Sequence, residues 1–286
     1  MSGVWACDDT IGGQKPIGGS VDSEASIQRY LRRASLDLSG KPPSDADLVA
    51  QTAQLRDRSN TAAARGELVD GLIARPEFAA LWTQELENAI FGGNDLAQQY
   101  QLVCSLVRGD AACLGCTATD PCDCTCPQIQ TLKAERTSLM TTATDFGTQT
   151  STGELERRYA TASGYFALIG AAEARVSALF VDFLARTAEA DEIENGRMMI
   201  FGSLIPGSPA GLMFHRDGAS YADLLDIVFT SEVYREAIVR RVFLRYLARE
   251  PGTDELAHFV PTLDAMKPDA RPVVRAVLSS REYFDQ

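Results

Sequence analysis

Histidine is nearly missing from this chain. There are two in 286 residues, His215 and His258, and neither belongs to an HExxH pair. A His-based zinc hydrolase needs two imidazoles one helical turn apart, so that class is disfavoured. Basic runs are missing too. Arg32–Arg33 and Arg240–Arg241 are isolated pairs in a chain of net charge −12. A polyphosphate is held by a basic patch that displaces counterions, so nucleic acid is not expected as a partner. Long apolar runs are also lacking. The best stretch, Phe166 to Leu184, is broken by Glu173, Arg175 and Asp182, and nothing in it spans a bilayer.

Two further absences narrow the chemistry. His215-Arg216-Asp217 matches the catalytic tripeptide of kinases, but no Gly-rich phosphate loop, paired lysine or DFG segment accompanies it. The match is chance. Thr117 stands after Cys116, where covalent haem attachment at a CxxC needs histidine, so no c-type haem is expected. The remaining composition, 45% hydrophobic and 23% charged, is that of a globular chain able to bury a core.

What is present is repetition. Leu68–Phe78 (LVDGLIARPEF), Leu224–Tyr234 (LLDIVFTSEVY) and Val273–Tyr283 (VVRAVLSSREY) align without a gap. A second shared segment lies upstream of each: IQRYLRR from Ile27, FVDFLARTAEADEI from Phe180 and FLRYLAREPGTDEL from Phe243. Within them, Tyr30, Phe183 and Tyr246 recur as core positions. Arg33, Arg186 and Arg249 recur as helix-end arginines that bond the last carbonyls and cover the core with their stems. A unit of short helices cannot hide its apolar stripe alone, so neighbours must stack.

Local signals agree. Ser23 or Ser20 caps a helix from Glu24 to about Leu36 that ends at Gly40-Lys41-Pro42-Pro43, and Ser44 caps the next. Leu68, Val69, Leu72 and Ile73 share a third helix, and Pro76 opens a fourth. Ser231 caps a helix to Ala248 with two buried rows, Ile238/Val242/Tyr246 and Val239/Phe243/Leu247. Thr253 caps its successor, Pro272 opens another, and Ser280 caps a last turn at Tyr283. No alternating run with a hairpin turn is evident. The expected fold is all-α: three stacked short-helix repeats with a cysteine-rich inserted loop. The segments read as a tether over residues 1–22, repeat one over 23–92, an insertion with connecting helices over 93–179, and repeats two and three over 180–286. Thr141 to Gly153 reads as a polar connection.

The insertion holds Cys104, Cys113, Cys116, Cys122, Cys124 and Cys126. Three disulfides would staple a loop with little core of its own. Fifteen pairings of six cysteines are possible in principle. The alternative is a thiolate metal site built from Cys113, Cys116, Cys122, Cys124 and Cys126. Glu189, Asp191, Glu192 and Glu194 could pair for acid–base work, but a helix start favours acids there through its dipole. His215 lies in a Gly/Pro-rich connection, Gly202 to Gly218, and reads as a surface loop residue.

At the N-terminus, Val4-Trp5-Ala6-Cys7 resembles the lipobox of bacterial lipoproteins, with Cys7 as the acylated residue. Asp8 to Ser20, Gly-rich and aperiodic, suits a flexible tether. Six residues before Cys7 are fewer than the 7–15 of a signal's apolar region. They are the end of a longer signal, a remnant, or part of a plain tail.

RRASLDLSGKPPSDADL followed by LVDGLIARPEFAALW, between Ile27 and Trp82, resembles the helical domains of unknown function in exported planctomycete and myxobacterial proteins. Those domains often stand beside cytochrome c modules. The C-terminal FLRYLAREPGTDEL and SSREYF segments are similar to related repeats. The resemblance implies an exported helical module and transfers no catalytic residue; electron transfer would need a partner's haem. The expected function is an extracytoplasmic, lipid-anchored scaffold or binding protein of a bacterial envelope or extracellular assembly. It has no catalytic residues and no cofactor, engages protein partners, and meets the membrane through the lipid anchor only. The alternatives are a metal or redox module on the cysteine loop, and an envelope-polymer hydrolase around His215.

Overall fold

The computed structural model describes residues 22–93, 95–110, 113, 116–148, 150–166, 169–205 and 207–286. The fold is all-α. Among the described residues, strand is confined to one hairpin, β1 (Gly211–Met213) and β2 (Arg216–Gly218). Two compact units divide the chain. The first takes in the described residues through Leu81, Ile238–Leu263 and Asp269–Gln286; the second takes in Trp82–Ala237 and Asp264–Pro268.

The first unit contains α1 (Glu24–Ser39), α2 (Asp45–Asp57), α3 (Ala62–Ile73) and the start of α4 (Pro76–Ile90). It also contains most of α13 (Glu232–Leu247), then α14 (Thr253–Phe259), α15 (Arg271–Ser279) and α16 (Arg281–Asp285). Caps set the boundaries of α1. The Ser23 hydroxyl accepts from the Ser26 N–H at 3.1 Å, satisfying an otherwise orphaned donor. At the other end Gly40 turns left-handed, φ 69°, and donates its N–H to the Leu36 carbonyl at 2.9 Å. Between them Ile27, Tyr30, Leu31, Ala34 and Leu38 form one buried stripe. Ser44 caps α2 in the same way as Ser23, through the Asp47 N–H. The cap of α14 differs from expectation: it is Gly252, and Thr253 is the first helical residue. The Glu255 carboxylate reaches back to the Gly252 N–H at 2.7 Å, so a residue without a side chain serves as cap.

Sequence-distant helices meet in this unit. α15 packs along α3, with Val273, Val274, Val277 and Leu278 on one side and Leu68, Val69 and Leu72 on the other, all buried. Each such side chain contributes about 1.5–3 kcal/mol when taken out of water. Arg65, 2% exposed, crosses the same contact. Its guanidinium donates to the Ser279 carbonyl at 2.8 Å and to the Asn60 carbonyl, and lies 5.3 Å from the Phe284 ring centre.

Tyr30 is packed edge-on against Tyr283, centroids 5.9 Å apart, and its hydroxyl is buried with no hydrogen-bond partner. Burial pushes its pKa up, because the phenolate cannot be solvated there. The aligned position at 183 is a phenylalanine. Tyr30→Phe removes an unsatisfied polar atom, so the variant is expected to be as stable as the parent or up to about 1 kcal/mol more stable. Urea unfolding checks this, and a loss beyond about 1 kcal/mol would reveal a partner for the hydroxyl.

The second unit runs from Trp82 in α4 through α5 (Leu96–Arg108), α6 (Pro127–Met140), α7 (Thr142–Thr148), α8 (Thr152–Thr161) and α9 (Ser163–Phe166). It continues with α10 (Ala172–Leu184), α11 (Ala190–Phe201), the hairpin and α12 (Tyr221–Phe229). Its core is aromatic: Tyr100, Phe146, Tyr159, Tyr165, Phe180, Phe183 and Tyr234 are all buried. The stretch read as a polar connection, Thr141 to Gly153, instead forms α7 and the start of α8. Threonines are modest helix formers, but Phe146 docks on Trp82, centroids 6.1 Å apart, and packing overrides propensity. Ser151 and Glu154 then close a reciprocal capping box on α8.

The hairpin was not anticipated either. Its two-residue turn, Phe214-His215, holds both residues left-handed at φ 48° and 63°. Such turns match the twist of the paired strands but usually recruit Gly or Asn. Here the Phe214 ring packs against Phe180, centroids 6.0 Å apart, which explains why a bulky residue occupies a strained position. Gly211 lets β1 lie against the Asn195 backbone in α11, where an added Cβ would collide.

Candidate functional site

α5 ends at Arg108 and α6 begins at Pro127; the segment between them carries most of the loop cysteines. The structure pairs Cys104 with Cys122, Cys113 with Cys126, and Cys116 with Cys124, across Cα separations of 5.2, 5.3 and 5.7 Å. Those separations suit bridges without backbone distortion. Cys104, Cys113, Cys122 and Cys124 are buried, while Cys116 and Cys126 are half-buried. With six sulfurs so joined, the loop offers no thiolate to a metal ion.

Polar contacts fix the rest of the segment. The Arg108 guanidinium donates to the Cys116 carbonyl at 2.9 Å and to the Ala118 carbonyl at 3.1 Å. Asp120 accepts from the Cys122 N–H at 2.9 Å and starts a single 3-10 turn, Pro121–Asp123. Gln130 donates to the Cys124 carbonyl at 2.8 Å. A shallow open depression lies between Gln101, Leu102 and Ser105 on α5 and Thr119, Asp120 and Pro121 on the loop. Its rim carries amide, hydroxyl and carboxylate groups, which suits hydrogen bonding to a polar surface better than proton transfer.

The recurring arginines do something the sequence reading missed. Ala185 and Ala248 both end their helices left-handed, φ 52° and 54°. Arg186 then makes paired bonds to Glu192, at 2.6 and 2.8 Å, and Arg249 makes the same pair to Glu255, at 2.7 and 2.8 Å. Each guanidinium also covers an aromatic ring, Phe180 at 4.7 Å and Phe243 at 5.1 Å. These arginines bond the next helix's first turn rather than the closing carbonyls of their own helix, as had been expected. Arg33 differs again. It lies inside α1, donates to the Tyr246 carbonyl at 2.9 Å and stands over the Tyr283 ring at 4.3 Å.

Charge follows this geometry. Hydrogen bonds from Arg249 hold the Glu255 carboxyl below its ordinary 4.5, and bonds to Glu255 and Glu282 push Arg249 up. Burial works to raise Glu192, but the bonds from Arg186 and the Glu189 N–H bring it down overall. Glu189, Asp191, Glu192 and Glu194 therefore start and staple α11 instead of forming an acid–base pair. Glu87 and Asp182 move the other way, raised by burial although Tyr159 and Tyr165 donate to them.

Arg249→Met is expected to lower stability near neutral pH by about 1–2 kcal/mol, a charged hydrogen-bond loss discounted for exposure. A depressed carboxyl contributes above its unfolded pKa and loses that contribution as pH falls through the folded value. The gap between parent and variant should therefore shrink below pH 4.5, the ordinary value of Glu255. Urea unfolding on both sides of that pH checks it; a gap independent of pH would contradict the assignment.

Other sequence candidates fall elsewhere. Cys7 lies outside the described residues. His215 is exposed at the hairpin turn, where its neighbour Arg216 bonds Asp226 at 3.2 Å and Thr230. Among the described residues no group of three or more His, Cys, Asp or Glu side chains is placed to hold a metal ion. No described helix is long and apolar enough to cross a membrane.

No curated protein and no solved structure matches the chain. Residues 15–100 match the family model described as PSCyt2, a protein of unknown function (DUF1549), which spans the segment where the sequence resemblance was found.

Proposed function

We propose that this chain is an extracytoplasmic helical scaffold of a bacterial envelope or extracellular assembly, lipid-anchored at Cys7 and binding protein partners. The observation that carries the reading is the trio of disulfides that ties the loop between α5 and α6 to itself and, through Cys104, to α5. Such bridges form and persist in oxidising compartments and stabilise segments with little apolar core. The acidic balance, −12 overall, suits a surface that avoids polyanions.

The matching segments supply the binding body. Leu68–Phe78, Leu224–Tyr234 and Val273–Tyr283 each pass from one helix to the next, through a serine cap in the second and third, and end on a buried aromatic, Phe78, Tyr234 or Tyr283. We read them as copies of one unit, stacked as in helical repeat proteins. The resemblance to exported planctomycete and myxobacterial domains makes a partner carrying cytochrome c modules a natural candidate. The test is native mass spectrometry of the protein released gently from its envelope. A defined complex is expected; a solitary monomer at physiological concentration contradicts the scaffold role.

A further inference from the structure

Leu155–Tyr165 (LERRYATASGY) lies in the stretch set apart as an insertion, yet it lays on the three matching segments residue for residue. Leu155, Tyr159, Ala160 and Tyr165 fall where those segments bury apolar side chains, and all four are buried. Glu156 hides the match in the sequence. It stands where the others have Val69, Leu225 and Val274, is 1% exposed, and accepts from the Tyr234 hydroxyl at 2.8 Å. The backbone repeats as well. Between the two helices the Ala162 N–H donates to the Tyr159 carbonyl at 3.1 Å, and Arg75 to Leu72, Ser231 to Val228 and Ser280 to Val277 make the same bond at the same length. Ser151 caps α8 at the position where Ser220 caps α12.

The four segments pair within their units, and both pairs follow one plan. In the first unit α3 packs against α15, and in the second α8 packs against α12. Asp70 and Arg275 hold the same place in their segments and meet at 2.8 Å; Asp226 and Arg157 hold that place in theirs and meet at 3.1 Å. Arg65 and Tyr221 are equivalent too. Each reaches from the start of its helix to a closing carbonyl of the other, Ser279 at 2.8 Å and Ala160 at 2.7 Å, so both pairs run antiparallel. The same two side chains cover equivalent rings, Phe284 at 5.3 Å and Phe166 at 4.6 Å. In the upstream helices, Tyr30 and Phe183 stand edge-on to Tyr283 and Tyr165, with centroids 5.9 and 5.8 Å apart. Equivalent positions that meet across antiparallel helices mark a local two-fold relation.

We infer that Leu155–Tyr165 is a fourth copy of the unit, and that a charge rule selects partners: a half bearing aspartate (Asp70 or Asp226) takes a half bearing arginine (Arg275 or Arg157). The rule acts against like halves. With equivalent positions face to face, two aspartate halves would set carboxylate against carboxylate, and two arginine halves guanidinium against guanidinium. The family segment, residues 15–100, contains an aspartate half, and Val273–Tyr283 supplies the arginine half that completes it. This rests on taking the segments as copies, not on the scaffold role.

Urea unfolding of the full chain tests the rule. Asp70→Arg should lower the midpoint by opposing two guanidiniums, and adding Arg275→Asp should restore at least half of the loss. In the second pair Arg216 also holds Asp226. There Arg157→Gln and Asp226→Asn together should cost less than the sum of their separate losses. Ala162→Ser tests the fourth copy by itself. Ser231 and Ser280 cap the next helix through the N–H groups of Tyr234 and Tyr283, at 3.0 and 3.2 Å. Ala162 has nearly the backbone of Ser280, φ −68° and ψ 137° against −68° and 159°, and no hydroxyl. Supplying one should raise the melting temperature by about 2–4 °C. Additive losses in either pair would overturn the charge rule, and an unchanged or lowered melting temperature in Ala162→Ser would overturn the fourth copy. Neither result bears on the complex that tests the scaffold role.

Discussion

Replacing Cys104 and Cys122 together by alanine should lower the stability of the second unit by about 3 kcal/mol. The bridge spans 18 residues, and both sulfurs are buried between the ends of α5 and the loop. Closing that loop in the unfolded chain removes conformations that the variant regains, while the folded state loses a buried cross-link. The pair Cys116 and Cys124, only 8 residues apart, should cost less when removed, because loop entropy falls with the logarithm of length. Urea unfolding without reductant, followed by near-UV circular dichroism, measures both. The ordering matters as much as the size. Equal effects, or none, would mean that Arg108, Asp120 and Gln130 already fix the loop unaided.

Arg65→Met should be comparably damaging in the first unit, at about 3 kcal/mol. The guanidinium is buried, yet its donors meet two backbone carbonyls, Ser279 at the end of α15 and Asn60 before α3. Charged hydrogen bonds contribute about 1.5–3 kcal/mol each. Methionine keeps most of the stem volume but leaves the two carbonyls without these donors, and each unsatisfied buried group costs about 1–3 kcal/mol. Arg65→Lys should recover only part of the loss, since a single ammonium cannot reproduce the planar fork. If Arg65→Met unfolds at the parent's urea midpoint, the α3–α15 contact rests on its valines and leucines and on the Arg275–Asp70 pair.

Much of the first unit is legible in the sequence because short-range chemistry decides it. Ser23, Gly40, Ser44, Pro76 and Ser280 mark its boundaries, each a residue suited to one place at a helix end. The spacing of Ile27, Tyr30, Leu31 and of Ile238 to Leu247 gives the buried faces. What escaped depends on tertiary contacts. The left-handed turn at Phe214-His215 carries no Asn-Gly or Asp-Gly signal and is held by packing on Phe180. α7 is written in threonines and exists because Phe146 finds Trp82. Arg65 gives no sequence sign of its burial, since a lone arginine on a helix normally faces water.

The candidate site was half readable. Six cysteines in one insertion point to cross-linking, but the pairing of Cys104, Cys113 and Cys116 with Cys122, Cys126 and Cys124 follows from where α5 and α6 bring the loop ends. The arginine–glutamate staples were written in the sequence all along. Arg186 and Arg249 each precede an acid by six residues, Glu192 and Glu255, whereas Arg33 has Ser39 at that place. Reading the arginines and the acids as separate features hid the link between them. Gly202 to Gly218 reads as a Gly/Pro-rich connection in the sequence, and only the exposure of Leu204 and Ile205 singles it out.

The most direct test is an intact-mass measurement on protein taken from its native envelope without reductant, after alkylation of any free thiol. An oxidised, extracytoplasmic, anchored scaffold predicts no alkylation at Cys104, Cys113, Cys116, Cys122, Cys124 or Cys126, and an acyl mass on Cys7. Six alkylated loop cysteines on an unacylated chain would contradict both the compartment and the anchor.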